Sequence, residues 1–383
     1  MGLFGKLSKN RTRPRVEVDS SRTAASSTNA VQVQAARQSI ATRECYPTAI
    51  MPTIVIFRSL ALVAALSLLH LYSQVPQPDG AGVEKGVLPK TWSTGGPKCM
   101  ELPEWQIHEY NADLYILRES GCTHYEKPFL YVVFGDEKVT LIDTGAGKVN
   151  LAPVYDKVVA QWLERKGKTS IKKMVIHTHG HSDHIAGDPQ FKENPNYEFV
   201  PFTIPEIQKA FGITQWPETV GKLDLGGRVL DVVPIPGHHS TDVAFYDKRT
   251  GLLLIGDTLY PGRLYVTHWD QFEKSIERIV RFTEGRVVTH ILGCHIEQTD
   301  TPYLEFPIGS IYQPNEHALE LSRGHLLELH QALIGLKGQV KRLAFRDFTI
   351  WPLTPEALQE MRRVRKETED RLRKTQFDQT AKP

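Results

Sequence analysis

Three kinds of feature are missing or scarce in this sequence, and each absence narrows what the chain can be. No repeat period appears along its 383 residues, which agrees with one globular domain plus appendages. Residues 101–313 lack a basic patch with interleaved aromatic side chains, which argues against nucleic acid as a substrate. Cysteine is scarce, with four in the whole chain. Cys99 and Cys122 could pair in an oxidising compartment, but free thiols are the state that we favour.

The N-terminal region differs in composition from the rest of the chain. Residues 1–52 are rich in Ser, Thr, Ala, Gln and Arg and offer little to bury, which predicts a disordered basic tail. Residues 1–60 contain nine Lys/Arg and three Asp/Glu, and since the whole chain carries +2, the remainder carries −4. The basic excess therefore belongs to the tail and not to the rest of the chain.

A hydrophobic segment follows at residues 53–72, but Arg58 interrupts it. The 14 residues from 59 to 72 suit the core of a signal peptide, whereas a full membrane span needs about 20. A start at Met51 would make the segment a signal peptide, and a start at Met1 would make it a signal anchor. A buried core helix is the alternative. We expect export or membrane attachment through this segment, with a linker at residues 73–100 before the main domain.

The stretch 177–184 carries the strongest chemical signal. It places four potential metal ligands within six residues: His179, His181, Asp183 and His184. An apolar run at residues 174–176 precedes them, so strand alternation would put the first two on one face and the following turn would bring the other two nearby. Imidazoles with a carboxylate suit zinc or another borderline first-row ion. Two pairs of ligands favour two metal ions over one.

Three further candidate ligands come later in the chain, each after an apolar strand that ends in glycine: His238, Asp257 and His295. Glycine permits positive φ and close backbone approach, so a ligand there can turn sharply into a shared cleft. Asp143 follows a similar apolar run at residues 139–142. The complete set predicts a metal centre assembled from the ends of several strands.

These motifs, in this order, resemble those of the metallo-β-lactamase superfamily from about residue 105 to residue 295. The resemblance implies an α/β fold, a four-layer αββα sandwich with the site at one edge of two packed sheets, here with extra C-terminal helices. It implies one metal ion held by His179, His181 and His238, a second held by Asp183, His184 and His295, and Asp257 bridging both. By the same resemblance, Asp143 would orient ligands through hydrogen bonds.

Asp257 indicates which branch of the superfamily this chain resembles. True β-lactamases of this fold usually have Cys or Ser at that position, whereas a bridging carboxylate is typical of glyoxalase-II-like thioesterases, lactonases and phosphodiesterases. Asp257 follows His238 by only 19 positions, which leaves no room for the nuclease domain that nucleic-acid-processing relatives insert there. The implied enzyme is a dinuclear zinc hydrolase that acts on a small-molecule thioester, lactone or related ester.

The chemistry of such an enzyme follows from two Zn(2+) ions. A shared water loses a proton near neutral pH, since zinc-bound water has a pKa of about 7, and the metal-bridged hydroxide attacks the carbonyl. Asp183 or Asp257 would then carry the proton to the leaving group. Tyr260 either donates to the developing oxyanion, as its spacing in some lactonases and acyl-CoA hydrolases implies, or caps the pocket wall. His239 either supports the ligands or serves polar packing, which we favour.

Two other functions stay open. Persulfide dioxygenases share this motif set but bind one Fe(2+) through the equivalents of His179, His238 and Asp257. The second open function is that of a membrane-tethered binding protein without catalytic activity. The seven intact candidate ligands argue against it.

Local patterns place the motifs on a fold. Two hairpins are predicted, at residues 129–142 and 242–255, together with a catalytic domain at residues 101–313. A helical extension at residues 314–383 is predicted to contain a helix over 315–336 and a short strand over 343–351.

Overall fold

The computed structural model describes residues 82–96, 102–147 and 149–380. Within these ranges the strands form two six-stranded sheets and one small sheet. The first large sheet contains, in spatial order, β1 (Trp105–Asn111), β2 (Leu114–Glu119), β3 (Phe129–Phe134), β4 (Lys138–Ile142), β5 (Lys172–Ile176) and β6 (Tyr197–Phe199). Strands β1 to β4 are antiparallel, and β4, β5 and β6 are parallel.

The second large sheet has a comparable arrangement of antiparallel strands with one parallel pair. Its spatial order is β13 (Glu320–Leu321), β12 (His290–Gly293), β10 (Leu252–Gly256), β9 (Val243–Asp247), β8 (Val229–Pro234) and β7 (Gly221–Asp224). Strands β10 and β12 are the parallel pair, and a helix connects them through the crossover that such a pair requires. The small sheet contains β11 (Arg263–Val266), β15 (Thr349–Pro352) and β14 (Leu343–Ala344), with β15 in the centre.

Six α-helices lie within the described residues: α1 (Ala152–Lys166), α2 (Ser182–Ile185), α3 (Ile204–Phe211), α4 (Trp269–Phe282), α5 (Arg323–Leu336) and α6 (Pro355–Thr380). Helix α1 ends where Gly167 adopts a left-handed conformation and returns its N–H to the last turn. Helix α5 begins at a capping box in which the Ser322 and His325 side chains each bond the other's backbone N–H.

The two large sheets pack face to face over a shared apolar core. Alternate residues of the first sheet, such as Ile116, Tyr131 and Ile176, share one buried cluster with Val232 and Phe245 of the second. Because side chains alternate across a strand, the remaining apolar residues of each sheet face outwards. Helices cover both outer faces, which makes four layers.

The outer layers are asymmetric. Helix α1 covers the first sheet through residues such as Tyr155 and Trp162. Helices α4 and α5 cover the second sheet together with the small sheet, and Phe272 and Leu329 lie in that cluster. The predicted α/β four-layer αββα sandwich with extra C-terminal helices is therefore confirmed. The C-terminal part also contributes strands, because β13 pairs with β12 and β15 pairs with β11.

Several predictions concern the N-terminal region. The tail at 1–52 and the hydrophobic segment at 53–72 lie outside the described residues. None of the helices in the described part of the chain is long and apolar enough to cross a membrane. The expectation of free thiols is wrong for Cys122, which is disulfide-bonded. Cysteine spacing alone cannot give the distance between two sulfur atoms, which the fold sets.

Candidate metal centre

The candidate ligands lie in loops that follow the carboxyl ends of four strands. His179 and His181 follow β5, which ends at Ile176, and the one-turn helix α2 carries Asp183 and His184. The prediction that His179 and His181 extend the strand is wrong. The chain leaves the first sheet at Thr178, whose carbonyl accepts a 2.9 Å bond from a strand of the second sheet.

The other three ligands come from the second sheet. His238 lies beyond β8, Asp257 directly follows β10, and His295 lies two residues after β12. Gly256 has φ +56°, which turns the chain so that Asp257 enters the cleft. At Gly293, an added Cβ would lie 2.5 Å from the Cβ of Tyr260, so only glycine fits this close approach.

One group of ligand atoms consists of three imidazole nitrogens. Nε2 of His179 lies 3.1 Å from Nδ1 of His181, which lies 2.8 Å from Nε2 of His238. The His238 Nδ1 atom lies 2.7 Å from the Tyr265 carbonyl oxygen, which can only accept, so this nitrogen carries the proton and Nε2 presents its lone pair. Nitrogen atoms gathered around one point in this way are arranged as ligands of a cation.

A second group lies beside the first and combines two carboxylates with two imidazoles: Asp183, His184, Asp257 and His295. His295 Nε2 lies 3.3 Å from Oδ2 of Asp183 and 3.3 Å from Oδ2 of Asp257. His184 Nε2 lies 3.5 Å and 3.4 Å from the same two oxygens. His295 Nδ1 donates to the Glu126 carbonyl at 3.0 Å, which again leaves Nε2 free to bind a metal.

Oδ2 of Asp257 lies between the two groups. It is within 3.5 Å of His238 Nε2 in the first group and 3.4 Å of His184 Nε2 in the second. A single carboxylate oxygen in that position can serve two cations at once. The structure therefore brings all seven predicted ligands together, and Oδ2 of Asp257 faces both groups.

Two buried polar atoms at the centre have no hydrogen-bond partner in the described structure: Nε2 of His184 and Oδ1 of Asp257. A buried polar atom without a partner costs about 1–3 kcal/mol, so such atoms need an explanation. Imidazole and carboxylate are ligands of zinc and related ions, and a bound cation would satisfy both atoms. The residues present thus fit a pair of metal ions.

The two groups differ in their protonation. Burial lowers the pKa of His238 to about 4 and holds the pKa of His179 well below its ordinary value, which keeps both rings neutral and able to bind a metal. Burial also opposes charge on His184 and His295, but the neighbouring carboxylates, Asp257 foremost, outweigh it and raise the pKa of both. The histidine rings of the second group are therefore more easily protonated than those of the first.

Asp143 has the orienting contacts that the resemblance implies. Its Oδ2 lies 2.9 Å from His184 Nδ1 and accepts from the Thr178 hydroxyl at 2.8 Å, and its Oδ1 accepts from the Thr178 N–H at 2.7 Å. The Asp143 backbone has φ +69°, a conformation that Asp and Asn tolerate better than most residues. The carboxylate thus fixes which nitrogen of His184 carries the proton.

Tyr260 is buried beside the centre, with its ring centroid 5.6 Å from that of His295. Its hydroxyl donates to the Arg263 carbonyl and lies 3.1 Å from Oε2 of Glu297. A hydroxyl has one proton, and here a main-chain carbonyl accepts it. An oxyanion contact would require that bond to break, so the contacts in the structure favour the alternative in which Tyr260 caps the pocket wall.

His239 lies against the first ligand group without hydrogen bonding to it. Its ring centroid is 4.7 Å from that of His181, and its Nδ1 atom lies 2.9 Å from the Thr241 hydroxyl. The His239 N–H donates to the buried carboxylate of Asp242 at 2.5 Å. Oδ1 of Asp242 also approaches His179 Nδ1, at 3.8 Å. These contacts fit polar packing around the ligands.

Several supporting groups were missed by the sequence analysis. The carbonyl groups of Tyr265 and Glu126 orient His238 and His295, and main-chain atoms leave no signal in residue identity. Buried Lys127 holds the loop that carries the second of these carbonyls, because its Nζ donates to the Tyr125 and Ser310 carbonyls at 2.5 and 2.8 Å. The sequence shows Lys127 but not its burial, so this residue gave no signal either.

Comparison with known sequences agrees with this geometry. Residues 128–290 match the sequence profile of the Metallo-beta-lactamase superfamily. The chain carries a metallo-β-lactamase superfamily domain. Its curated relatives fall in the glyoxalase-II-like and thioesterase branch that Asp257 indicates.

Two relatives illustrate the likeness of this metallo-β-lactamase domain. The hydroxyacylglutathione hydrolase of Idiomarina loihiensis is 30% identical over 146 residues, which cover 37% of this chain and 51% of that protein. The human acyl-coenzyme A thioesterase MBLAC2 is 23% identical over 235 residues, which cover 51% of this chain and 83% of that protein. The chain thus spans about half the length of the first relative.

Among solved structures, a metallo-beta-lactamase from Pontibacter korlensis is similar, with a TM-score of 0.41 and 17% identity. That similarity covers 60% of this chain and 99% of that structure.

Proposed function

We propose that this protein is a dinuclear zinc hydrolase that cleaves a small-molecule thioester, lactone or related ester. The observation that carries the proposal is the pair of adjacent ligand groups that share Oδ2 of Asp257. The second group, with Asp183, His184 and His295, offers ligands for a second metal ion, and the metal content distinguishes this centre from the single iron of a persulfide dioxygenase. The relatives named hydroxyacylglutathione hydrolase and acyl-coenzyme A thioesterase support a thioester as the first substrate to test.

The protein's own residues would prepare the site before substrate enters. Asp143, the Tyr265 carbonyl and the Glu126 carbonyl fix the tautomers of His184, His238 and His295, so their lone pairs face the centre. Zinc bound there would lower the pKa of a water molecule and polarise the acyl carbonyl.

A carboxylate would take the proton that this water molecule gives up and pass it to the leaving group. The Asp183 side chain is 18% exposed, against 6% for Asp257, so Asp183 is the more accessible of the two to a substrate. Asp257 faces ligands of both groups, which favours a purely ligating role. We therefore assign the proton transfer to Asp183, whose Oδ1 atom is not among the atoms facing the histidines.

The test is the metal content of the full chain, measured by elemental analysis beside hydrolysis of a panel of thioesters and lactones. We expect about two zinc ions per chain, and in Asp183→Ala a loss of zinc with a fall in kcat of at least about 10²-fold. Asp188→Ala, which removes a carboxylate next to the non-ligand His177, serves as the control. A single iron that is retained in Asp183→Ala would overturn the hydrolase and favour persulfide oxidation.

We further propose that the protein is exported or attached to a membrane through residues 53–72. The hydrophobic pattern of that segment supports this, and so does the disulfide at Cys122, since disulfides persist in oxidising compartments. N-terminal sequencing of the mature protein and its partition between membrane and soluble fractions would test the proposal. An intact N-terminus in the soluble cytoplasmic fraction would contradict it.

A further inference from the structure

A buried ionic cluster lies beside the metal centre, made of Arg263, Glu297 and Glu305. The Arg263 guanidinium donates to Glu297 Oε1 at 2.9 Å, pairs with Glu305 Oε2 at 2.8 Å through Nε, and donates to the Phe306 carbonyl. Two carboxylates and one cation are thus held largely away from water. Burying charges is costly, and a buried ion pair is weak evidence of stabilisation, so the cluster calls for another explanation.

Glu297 connects this cluster to the second ligand group. It lies two residues after His295, and its N–H donates to the Pro261 carbonyl at 2.8 Å. Its carboxylate accepts from the Arg263 N–H at 2.8 Å as well as from the guanidinium, so both the main chain and the side chain of Arg263 hold it. The position of His295 is therefore linked, over two residues, to strand β11.

The same strand orients one member of the first ligand group, His238. β11 contains both Arg263 and Tyr265, and the Tyr265 carbonyl accepts from Nδ1 of His238 at 2.7 Å. The Tyr265 hydroxyl lies 3.4 Å from Glu297 Oε1, a weak contact with the same carboxylate. One side chain, Glu297, thus meets the strand that orients His238 and lies on the segment that carries His295.

We infer that Glu297 is a positioning residue that sets the two ligand groups relative to each other, through Arg263 and strand β11. It acts through ligands and not on substrate. Its loss should weaken metal binding in both groups, whereas each carbonyl that orients a histidine acts on one group alone. The inference rests on the proposed metal centre.

The experiment measures the affinity of each metal site by competition with a chelator of known affinity, in the full chain. In Glu297→Gln the amide must point its NH2 at one of the donors that the carboxylate now accepts from. We expect both zinc affinities to fall by about 10- to 100-fold, the usual effect of removing a group that supports ligands. Cobalt(II) substitution provides a second readout, since its absorption spectrum responds to ligand geometry.

Asp247→Asn is the matched control, because Asp247 forms a still more deeply buried pair with Arg228, at 2.6 Å, that the metal ligands do not contact. It should lower the melting temperature and leave both zinc affinities within about threefold of wild type, the scatter expected away from ligands. If Glu297→Gln does not fold, Arg263→Lys keeps the positive charge, weakens the contact that joins Glu297 to strand β11, and is read in the same way.

Unchanged zinc affinities in Glu297→Gln, or in Arg263→Lys where that substitute is used, would overturn the inference, as would a fall at one site only. A wild-type protein that binds no pair of metals would instead refute the proposed function, so the two failures are distinguishable.

Discussion

Replacing Asp143 with asparagine tests how the protein fixes the protonation of a metal ligand. Asparagine tolerates the φ of +69° at this position and has nearly the same shape, so the backbone should not move. Its amide oxygen can still accept from the Thr178 N–H, now 2.7 Å away. The NH2 group then takes the place of Oδ2 and faces Nδ1 of His184, which lies 2.9 Å from that atom.

The NH2 group of the new asparagine side chain and the N–H at Nδ1 of His184 would then face each other as two donors. A change of tautomer in the His184 ring would relieve this clash. The ring can move its proton from Nδ1 to Nε2, which faces Oδ2 of Asp183 and of Asp257 at 3.5 and 3.4 Å. That tautomer has no lone pair at the atom that faces the centre. We expect zinc affinity at the second group to fall by about 10- to 100-fold, or about 1.4–2.7 kcal/mol.

The assay is a chelator competition that resolves the two sites, together with thermal unfolding of the metal-free protein. Asp188→Asn is the control, because Asp188 pairs with His177 at 2.8 Å in the same way, and His177 is not a candidate ligand. The control should lose stability and keep its zinc. Wild-type zinc affinity in Asp143→Asn, or an equal loss in both variants, would refute the reasoning from tautomers.

Two further predictions concern Tyr260 and Lys127. In Tyr260→Phe the Arg263 carbonyl loses its donor, so we expect the free energy of unfolding to fall by about 1–3 kcal/mol. We expect kcat to change by less than about threefold. A loss of kcat of about 10²-fold would instead support the oxyanion role. Burial and the nearby Arg118 lower the pKa of Lys127 to about 8, so between pH 8 and its unfolded value of 10.5 the unfolded state binds more protons than the folded state. The free energy of unfolding of the wild type should therefore rise by about 3 kcal/mol because of this group as pH rises through that window. Urea unfolding at several pH values should show this rise in the wild type but not in Lys127→Met.

The parts of the fold that depend on local pattern were predictable from the sequence. Both predicted hairpins form, as the antiparallel pairs β3–β4 and β9–β10. Residues 343–351 were predicted as one strand, and the structure forms two short ones, β14 and β15, because the chain turns between them and pairs with itself. The helix predicted from residue 315 begins at Arg323, since residues 320–321 pair with β12 instead. The Ser322 capping box was the local signal for the true start.

The candidate ligands could be predicted because their side chains carry the chemistry, but the groups that hold them could not. His238 is oriented by a carbonyl 27 residues away and His295 by one 169 residues away. Any residue supplies a carbonyl, so neither partner leaves a trace in sequence. The Arg263–Glu297 contact has the same character, because charged residues are common and only the fold brings this pair together. The sequence does not show which distant residues the fold brings into contact.

Because of strand β11, the metal centre depends on a part of the chain that is synthesised after all of its ligands. Its pairing partner is β15, at Thr349–Pro352, close to the end of a 383-residue chain. All seven candidate ligands are synthesised by residue 295, yet the strand whose carbonyl orients His238 gains its neighbour more than 50 residues later. A chain stopped between residues 296 and 348 would contain every ligand but lack β15, the neighbour of β11. We therefore expect metal ions to be bound tightly only after residues 349–352 have been synthesised and have paired with β11.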